Sequence, residues 1–370
     1  MSESVELDRP VFDFYPEGLP PLMSDRLRSV MEQRLEAGKH VAKIHEDLAD
    51  ERARQFRDDP AYRARVREEI EAAGVTAIDV TLLSTGRRAP QGWSGVLDDI
   101  RRWQTCIDAA DWLSKARTPE ELRSDGVNML FGIQDTVAIE DDLDRLDALY
   151  DFGVRVAQLT YNSRNRVGDG CTERTDGGLS EFGLKVVERL NELGMVVDLS
   201  HCGEATTADG IEHTDVPPAF THAFCRSRND HPRGKRDEEI KALAEADGYM
   251  GIVAVPFFLG GSADIEAMID HLEHAVDILG PDRVGVGTDW GYWTPDVPEP
   301  LREGIEEMFR GLGFRGEHAV TVGDGIPPMD AYSDWSAIPE AMHDRGYTEA
   351  EIRGFCGENF ARYFETVTTA

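Results

Sequence analysis

Two histidines stand at the ends of two consecutive apolar runs that have the composition of buried strands. The first run reads Val-Val-Asp-Leu-Ser and leads to His201, and the second reads Pro-Ala-Phe-Thr and leads to His222. Neighbouring parallel strands lie about 4.8 Å apart, so side chains at their ends can converge on one ion. Neutral imidazole is the commonest metal ligand and suits zinc. The pattern therefore predicts a zinc site with His201 and His222 as ligands.

Other polar side chains follow the ends of the remaining apolar runs. Asp289 comes directly after Gly-Val-Gly-Thr, where it could ligate the metal or accept a proton from metal-bound water. The other residues at such positions are Tyr15, Glu17, Thr81, Ser84, Gln134 and Tyr161. Buried polar side chains are costly unless they bind one another, a metal or a substrate. This end of the strands is therefore the predicted active site.

The elements that must position these residues alternate between strand-like and helix-like patterns. Near-continuous apolar runs are typical of parallel strands that are covered on both faces. These runs are residues 11–14, 74–82, 127–133, 154–160, 195–200, 217–221, 249–255 and 283–288. Helical spacing lies between them, for example at 141–152, 180–193, 236–246 and 264–279. Eight β–α repeats predict an α/β fold, a (β/α)8 TIM barrel whose active site lies at the carboxyl ends of the strands.

The length of the chain fits one such barrel with insertions. We expect residues 1–370 to form a single catalytic domain, with a charged, mostly helical insertion at about 24–72. A stretch rich in Gly and Pro at about 291–335 predicts a long loop after the eighth strand. Loops at this end of a barrel often close over substrate.

The composition excludes several classes of partner. The formal net charge is −32, with 71 acidic and 39 basic residues, of which 33 are arginine and 6 lysine. Such a chain repels nucleic acid and anionic lipid, and an acidic, lysine-poor surface favours a halophilic source over the alternative of a GC-rich genome. No signal peptide and no membrane span are visible. Five cysteines without a Cys-x-x-Cys pair indicate reduced thiols, so we expect a cytoplasmic protein.

Four stretches resemble the membrane (renal) dipeptidase family, peptidase family M19 of the amidohydrolase superfamily. They are residues 132–163, 177–201, 217–229 and 270–290, in the order and spacing of that family. The resemblance implies a (β/α)8 barrel that uses zinc to hydrolyse dipeptides or related small amides. It also implies that His201 and His222 bind metal, that Asp289 handles the proton of the attacking water, and that Arg228, followed by Asn229, binds the substrate carboxylate. Arg offers a fork of donors that suits a carboxylate.

The chain departs from the family pattern at four positions. Tyr15 and Glu17 stand where the family has the histidine and aspartate of its other metal site. Gln134 replaces the glutamate that bridges two metals, and Tyr161 replaces a histidine that polarises the substrate. A neutral amide bridges two cations poorly. We therefore expect one zinc ion on His201 and His222, with Gln134 and Asp289 nearby and not two ions, while Tyr161 donates a hydrogen bond to the substrate.

The resulting hypothesis is a metal-dependent hydrolase of a dipeptide or small amide that carries a free carboxylate. A basic loop that contains His231 and Arg233 could attract such a substrate, or could simply be a solvated loop. Two alternatives stay open: a metal-free ligand-binding or regulatory barrel, and an enzyme that acts on a modified amino acid such as an N-methylated one. A homodimer is also compatible with the sequence.

Overall fold

The computed structural model describes residues 7, 9–14, 18–20, 22–82, 92–290, 303–305, 307, 310–318 and 325–369. Its centre is a nearly closed parallel barrel. The strands are β1 (Phe12–Phe14), β2 (Ala77–Leu82), β3 (Leu113–Ala116), β4 (Val127–Ile133), β5 (Val154–Gln158), β6 (Val196–Asp198), β7 (Ala219–Ala223), β8 (Tyr249–Ile252) and β9 (Val284–Val286). Eight of them follow one another in the order β1-β2-β4-β5-β6-β7-β8-β9, and β3 pairs with β4.

Helices surround the barrel. They are α1 (Asp25–Glu36), α2 (Val41–Asp58), α3 (Pro60–Ala73), α4 (Gly92–Ala109), α5 (Pro119–Leu122), α6 (Asp144–Asp151), α7 (Glu181–Leu193), α8 (Glu204–His213), α9 (Asp237–Glu245), α10 (Pro256–Leu259), α11 (Ile265–Leu279), α12 (Ala337–Asp344), α13 (Glu349–Arg353) and α14 (Asn359–Thr369). Short 3-10 turns lie at Thr136–Ile139, Gly316–His318 and Tyr332–Ser336, and a π turn lies at Gly354–Glu358. None of the helices in the described residues is long and apolar enough to cross a membrane.

The sequence predictions for the barrel are confirmed, with one omission. Seven of the eight predicted runs contain one strand of the main path, and the run at 217–221 overlaps β7, which extends two residues further. The insertion at 24–72 forms α1, α2 and most of α3. Ser180 caps α7 by accepting a hydrogen bond from the backbone N–H of Gly183, and Gly194 ends that helix with a φ of 65°. The omission is β3, whose short sequence Leu-Ser-Lys-Ala has no apolar run. Much of the predicted loop at 291–335 lies outside the described residues.

One buried cluster marks the floor of the barrel. It combines residues of seven strands of the main path with aromatic residues of α14, and the barrel axis brings these strands together. The members from the main path are Phe12, Phe14, Ala77, Leu130, Val156, Val196, Ala219 and Tyr249, Ala116 of β3 also belongs to it, and the helix members include Phe360 and Phe364. Each buried aromatic side chain contributes about 1.5–3 kcal/mol to the free energy of folding. Because α14 covers the floor of the barrel, the site must lie at the other end, where the carboxyl ends of the strands are.

Candidate active site

A polar layer lies in the barrel lumen directly above the apolar floor. Side chains alternate along a strand, so residues two positions beyond the floor residues also face the lumen. The members of this layer are Asp79, Gly132, Gln158, Asp198 and Thr221. All five are buried. His201, in the turn after β6, and His222, near the end of β7, lie next to this layer at the rim of the barrel.

The two histidines meet through their Nε2 atoms, which are 3.0 Å apart. Nδ1 of His201 lies 2.7 Å from Oδ1 of Asn162, an atom that can only accept, so this Nδ1 carries the proton. Nδ1 of His222 lies 2.8 Å from Oγ1 of Thr221. Thr221 donates its own proton to Asp198 at 2.6 Å and therefore accepts from His222. Both Nε2 atoms are left with lone pairs that point toward each other.

Facing lone pairs at 3.0 Å repel unless a cation lies between them. Both rings are almost completely buried. Burial, followed by the positive charge of Arg233, holds the pKa of each imidazole well below its usual value. Neutral imidazoles are the form that binds metal. Zinc–nitrogen bonds of about 2.0–2.1 Å in a tetrahedral site place two nitrogens about 3.3 Å apart, which is close to the observed spacing. The pair therefore fits one zinc ion.

Asp198 anchors both halves of the pair from below. Its Oδ1 accepts from the backbone N–H of Ser200 at 3.0 Å and from that of Thr221 at 3.2 Å. The two hydroxyl groups donate to the same carboxylate, at 2.5 Å from Ser200 and 2.6 Å from Thr221. Carboxylates behind metal-binding histidines fix ring orientation and tautomer. Asp198 thus holds the turn before His201 and the hydroxyl partner of His222 in one arrangement.

Two further predicted residues contact the pair. Nε2 of Gln134 lies 3.5 Å from Nε2 of His222, and the backbone oxygen of Gln134 accepts from Gln158 at 2.5 Å. The ring of Tyr161 stacks on His201 with a centroid distance of 4.3 Å and an interplanar angle of 20°. The backbone N–H of Tyr161 donates to Asp135 at 3.1 Å, which fixes the start of this loop. Gln134 and Tyr161 therefore border the space between the histidines.

Of the three remaining predicted ligands, only Asp289 lies within the described residues. Asp289 lies at the same end of the barrel, after β9 and two strands from His222, and it is half-buried with a φ of 51°. Tyr15 and Glu17 lie outside the described residues. Within the described part of the chain, no group of three His, Cys, Asp or Glu side chains is placed to hold a metal. Among the predicted ligands in the described residues, His201 and His222 lie 3.0 Å apart through their Nε2 atoms, and Gln134 lies 3.5 Å from His222.

Arg233, from the predicted basic loop, lies beside the histidines. The predicted Arg228 is exposed. Arg233 is fully buried and donates to the backbone oxygens of Ser200 at 2.6 Å and His222 at 2.5 Å. The amide of Asn229 donates to the backbone oxygens of residues 257 and 258 at 3.2 and 3.0 Å, so it supports the loop away from the pair.

The basic loop is therefore not a solvated one. His231, Arg233 and Lys235 are 5%, 0% and 2% exposed. Lys235 donates to the backbone oxygen of Cys202 at 3.1 Å and to the hydroxyl of Thr207 at 2.9 Å. Nε of Arg233 has no hydrogen-bond partner among the described residues. One feature of the sequence indicates this buried basic loop: Arg233 and Lys235 follow shortly after His222, which stands at a strand end.

An orphaned carboxylate was not anticipated from the sequence. Asp79 is fully buried, and neither of its oxygens has a hydrogen-bond partner among the described residues. Oε1 of Gln158, in the same lumen layer, also lacks one. Burial, followed by the negative charge of Asp198, raises the pKa of Asp79 well above its usual value. A Cβ atom at Gly132 would lie 2.7 Å from both Asp79 oxygens, so only glycine fits opposite this carboxyl group.

Known proteins share both the sequence pattern and the fold. A dipeptidase from Clonostachys rogersoniana is 32% identical over 191 residues, which are 49% of this chain and 48% of that protein. The chain spans about half the length of the curated relatives it matches. An amidohydrolase from Pseudomonas aeruginosa superposes with a TM-score of 0.74 at 26% identity, over 83% of this chain and 93% of that one.

A second solved structure has the same fold at lower identity. It is a metallopeptidase from Rhodobacter sphaeroides liganded with a phosphinate mimic of the dipeptide L-Ala-D-Ala. Its TM-score is 0.70 at 20% identity, over 98% of this chain and all of that one. The sequence profile of membrane dipeptidase, peptidase family M19, matches residues 41–303. A match over most of the chain, on a barrel of this kind, shows that the chain belongs to the membrane dipeptidase family.

Proposed function

We propose that the chain is a metal-dependent hydrolase of dipeptides or related small amides, with a single zinc ion at the histidine pair. The observation that carries this proposal is the pair of neutral Nε2 atoms that face each other at 3.0 Å, with both Nδ1 atoms occupied by acceptors. Gln134 supports a single ion, because a neutral amide offers no charge with which to bridge two cations. The names of the relatives support the reaction class.

When bound, zinc supplies a Lewis acid that polarises the amide carbonyl and acidifies water. The protein's own groups then manage protons and orientation. Asp289 accepts the proton of the attacking water and delivers it to the leaving amine, so that water adds across the amide bond and two products with a free amine and a free carboxylate result. Tyr161, held against His201, donates a hydrogen bond toward the carbonyl oxygen as negative charge develops there.

The substrate carboxylate requires a cation near the pair. Arg233 is the arginine whose guanidinium contacts the backbone of His222, so we assign it this role in place of Arg228. Its Nε–H has no hydrogen-bond partner among the described residues and is therefore a donor that a ligand can use. The positive charge of this group in a buried site favours a substrate with a free carboxylate over one with a blocked end.

The test is hydrolysis of a panel of dipeptides by metal-stripped protein before and after addition of zinc. One equivalent should restore activity, and His201→Ala should abolish both metal content and activity. His274→Ala is the matched control. This half-buried histidine lies away from the barrel mouth, where its Nε2 is 2.8 Å from Oδ1 of Asp237. Full activity of His201→Ala, or a metal-free protein that binds but does not cleave amides, would overturn the proposal.

A further inference from the structure

The barrel closes at a seam between its first and last strands. The path of paired strands begins at β1 and ends at β9, and no ladder joins these two in the described residues. Two other kinds of contact cross the seam. The backbone N–H of Asp289 donates to the backbone oxygen of Phe14 at 3.1 Å. The carboxylate of Asp13 supplies the second contact, from the middle of β1.

Asp13 is fully buried, and its carboxylate joins three segments of the chain. Oδ1 accepts from the backbone N–H of Thr288 at 2.8 Å, and Oδ2 accepts from the Thr288 hydroxyl at 2.7 Å. The hydroxyl of Tyr332, in the turn at Tyr332–Ser336, donates to the same Oδ2 at 3.0 Å. A buried carboxylate with charge-assisted bonds is a strong anchor. Thr288 is therefore held at both its backbone and its side chain.

The residue after this anchor has an unusual backbone. Asp289 has a φ of 51°, in the left-handed region that non-glycine residues seldom adopt. Such conformations persist when the surrounding structure determines them. Bonds on both sides do so here: Thr288 is fixed by Asp13, and the Thr288 hydroxyl accepts from the backbone N–H of Trp290 at 3.2 Å. These bonds fix the backbone from which the Asp289 side chain projects.

We propose that Asp13 and Tyr332 are positioning residues that act through Thr288 to aim the Asp289 carboxylate at the reacting water. The inference rests on the role proposed for Asp289. Asp13 and Tyr332 do not touch substrate in this account. They clamp the seam of the barrel, so that the strained turn after β9 presents Asp289 in one orientation. Loss of the clamp should impair proton transfer while metal and substrate still bind.

The test compares two variants that loosen the clamp with two that do not. Thr288→Val removes the hydroxyl that bonds Asp13, and Tyr332→Phe removes the other donor from a different segment. We expect each to lower kcat about 10-fold with KM changed less than about 2-fold, because misplacement of a reacting group acts on the chemical step. Thr288→Ser keeps the hydroxyl and should restore kcat. Zinc content should stay at the wild-type level in all of them.

The control for stability is Tyr363→Phe, which removes a tyrosine hydroxyl bonded to the backbone oxygen of Pro217 at 2.8 Å on the far side of the barrel. If the role of Tyr332 is purely structural, Tyr332→Phe and Tyr363→Phe should both lower the melting temperature and both leave kcat unchanged. That result would overturn the inference. If Thr288→Val fails to fold, Tyr332→Phe decides alone. Asp289→Asn separates the two proposals: an active Asp289→Asn refutes the proposed function, whereas an inactive one with wild-type kcat in Tyr332→Phe refutes only the clamp.

Discussion

The side-chain oxygen of Asn162 accepts a hydrogen bond from Nδ1 of His201 across 2.7 Å. This contact decides which nitrogen of His201 faces His222, because a ring that donates from Nδ1 keeps its lone pair on Nε2. Asn162 belongs to the loop after β5, and its own backbone oxygen accepts from Thr172. The loop therefore sets the tautomer of a residue in the turn after the next strand of the barrel.

Asn162→Ala should weaken zinc binding by about 10–100-fold, the usual effect of removing the partner of a metal-binding histidine. The variant leaves Nδ1 of His201 without its acceptor, so both tautomers become populated. Competition with a zinc-binding indicator measures the change. Asn162→Asp keeps an acceptor at this position and should bind at least as tightly as the wild type. Equal affinities of Asn162→Ala and the wild type would show that the contact does not govern the pair.

Arg233→Lys should raise KM for dipeptides about 10-fold, because lysine keeps the charge but lacks the Nε–H that Arg233 leaves unpaired. The effect should be confined to substrates with a free carboxylate, so a dipeptide amide serves as the reference substrate. Arg228→Ala, an exposed position in the same loop, should change KM less than about 2-fold. Steady-state kinetics on the paired substrates checks both variants. A large effect at Arg228 with none at Arg233 would reverse the assignment.

Asp79→Asn should stabilise the protein at neutral pH. Burial and the charge of Asp198 raise the pKa of Asp79 in the folded state, whereas an unfolded aspartate titrates near 3.9. Between those two values the folded state binds more protons, so this carboxyl group lowers stability as pH rises above about 4. Asparagine does not titrate. The free energy of unfolding of Asp79→Asn should therefore exceed that of the wild type by an amount that grows as the pH rises above about 4 and reaches about 1–3 kcal/mol, the cost of an unsatisfied buried group.

Denaturant unfolding at several pH values measures this difference. Asp198→Asn is the matched contrast, because the Asp198 carboxylate accepts from two backbone N–H groups and two hydroxyls. This variant should be less stable than the wild type, because one of the accepting oxygens is replaced by an amide donor. A wild type more stable than Asp79→Asn at pH 7 would mean that the Asp79 carboxylate has a favourable partner in solution.

The sequence was sufficient to predict the barrel and the histidine pair, because strand period and strand ends are local properties. The pairing of His201 with His222 follows from adjacency of β6 and β7, which parallel topology makes predictable. Asn162 could not be found this way. Its contact depends on how the loop between β5 and α7 returns to the rim, and loop paths carry no periodic signal.

The position of Arg233 could not be predicted for a related reason. Ser-Arg-Asn at 227–229 has the residue types of a carboxylate site, but the chain turns there and exposes Arg228. The loop then returns, as the bonds of Arg233 to the backbone of Ser200 and His222 show, and the second arginine is buried. The burial of Asp79 is also a property of the closed barrel, since the strand sequence Ala-Ile-Asp-Val-Thr-Leu does not reveal which face meets the lumen.

A crystal structure of the zinc-loaded protein, with an anomalous difference map at the zinc edge, would locate the ion relative to the two histidines. We expect one peak between Nε2 of His201 and Nε2 of His222, about 2.0–2.1 Å from each. A zinc peak bound elsewhere, or a fully loaded protein with no peak between these two nitrogens, would contradict this expectation.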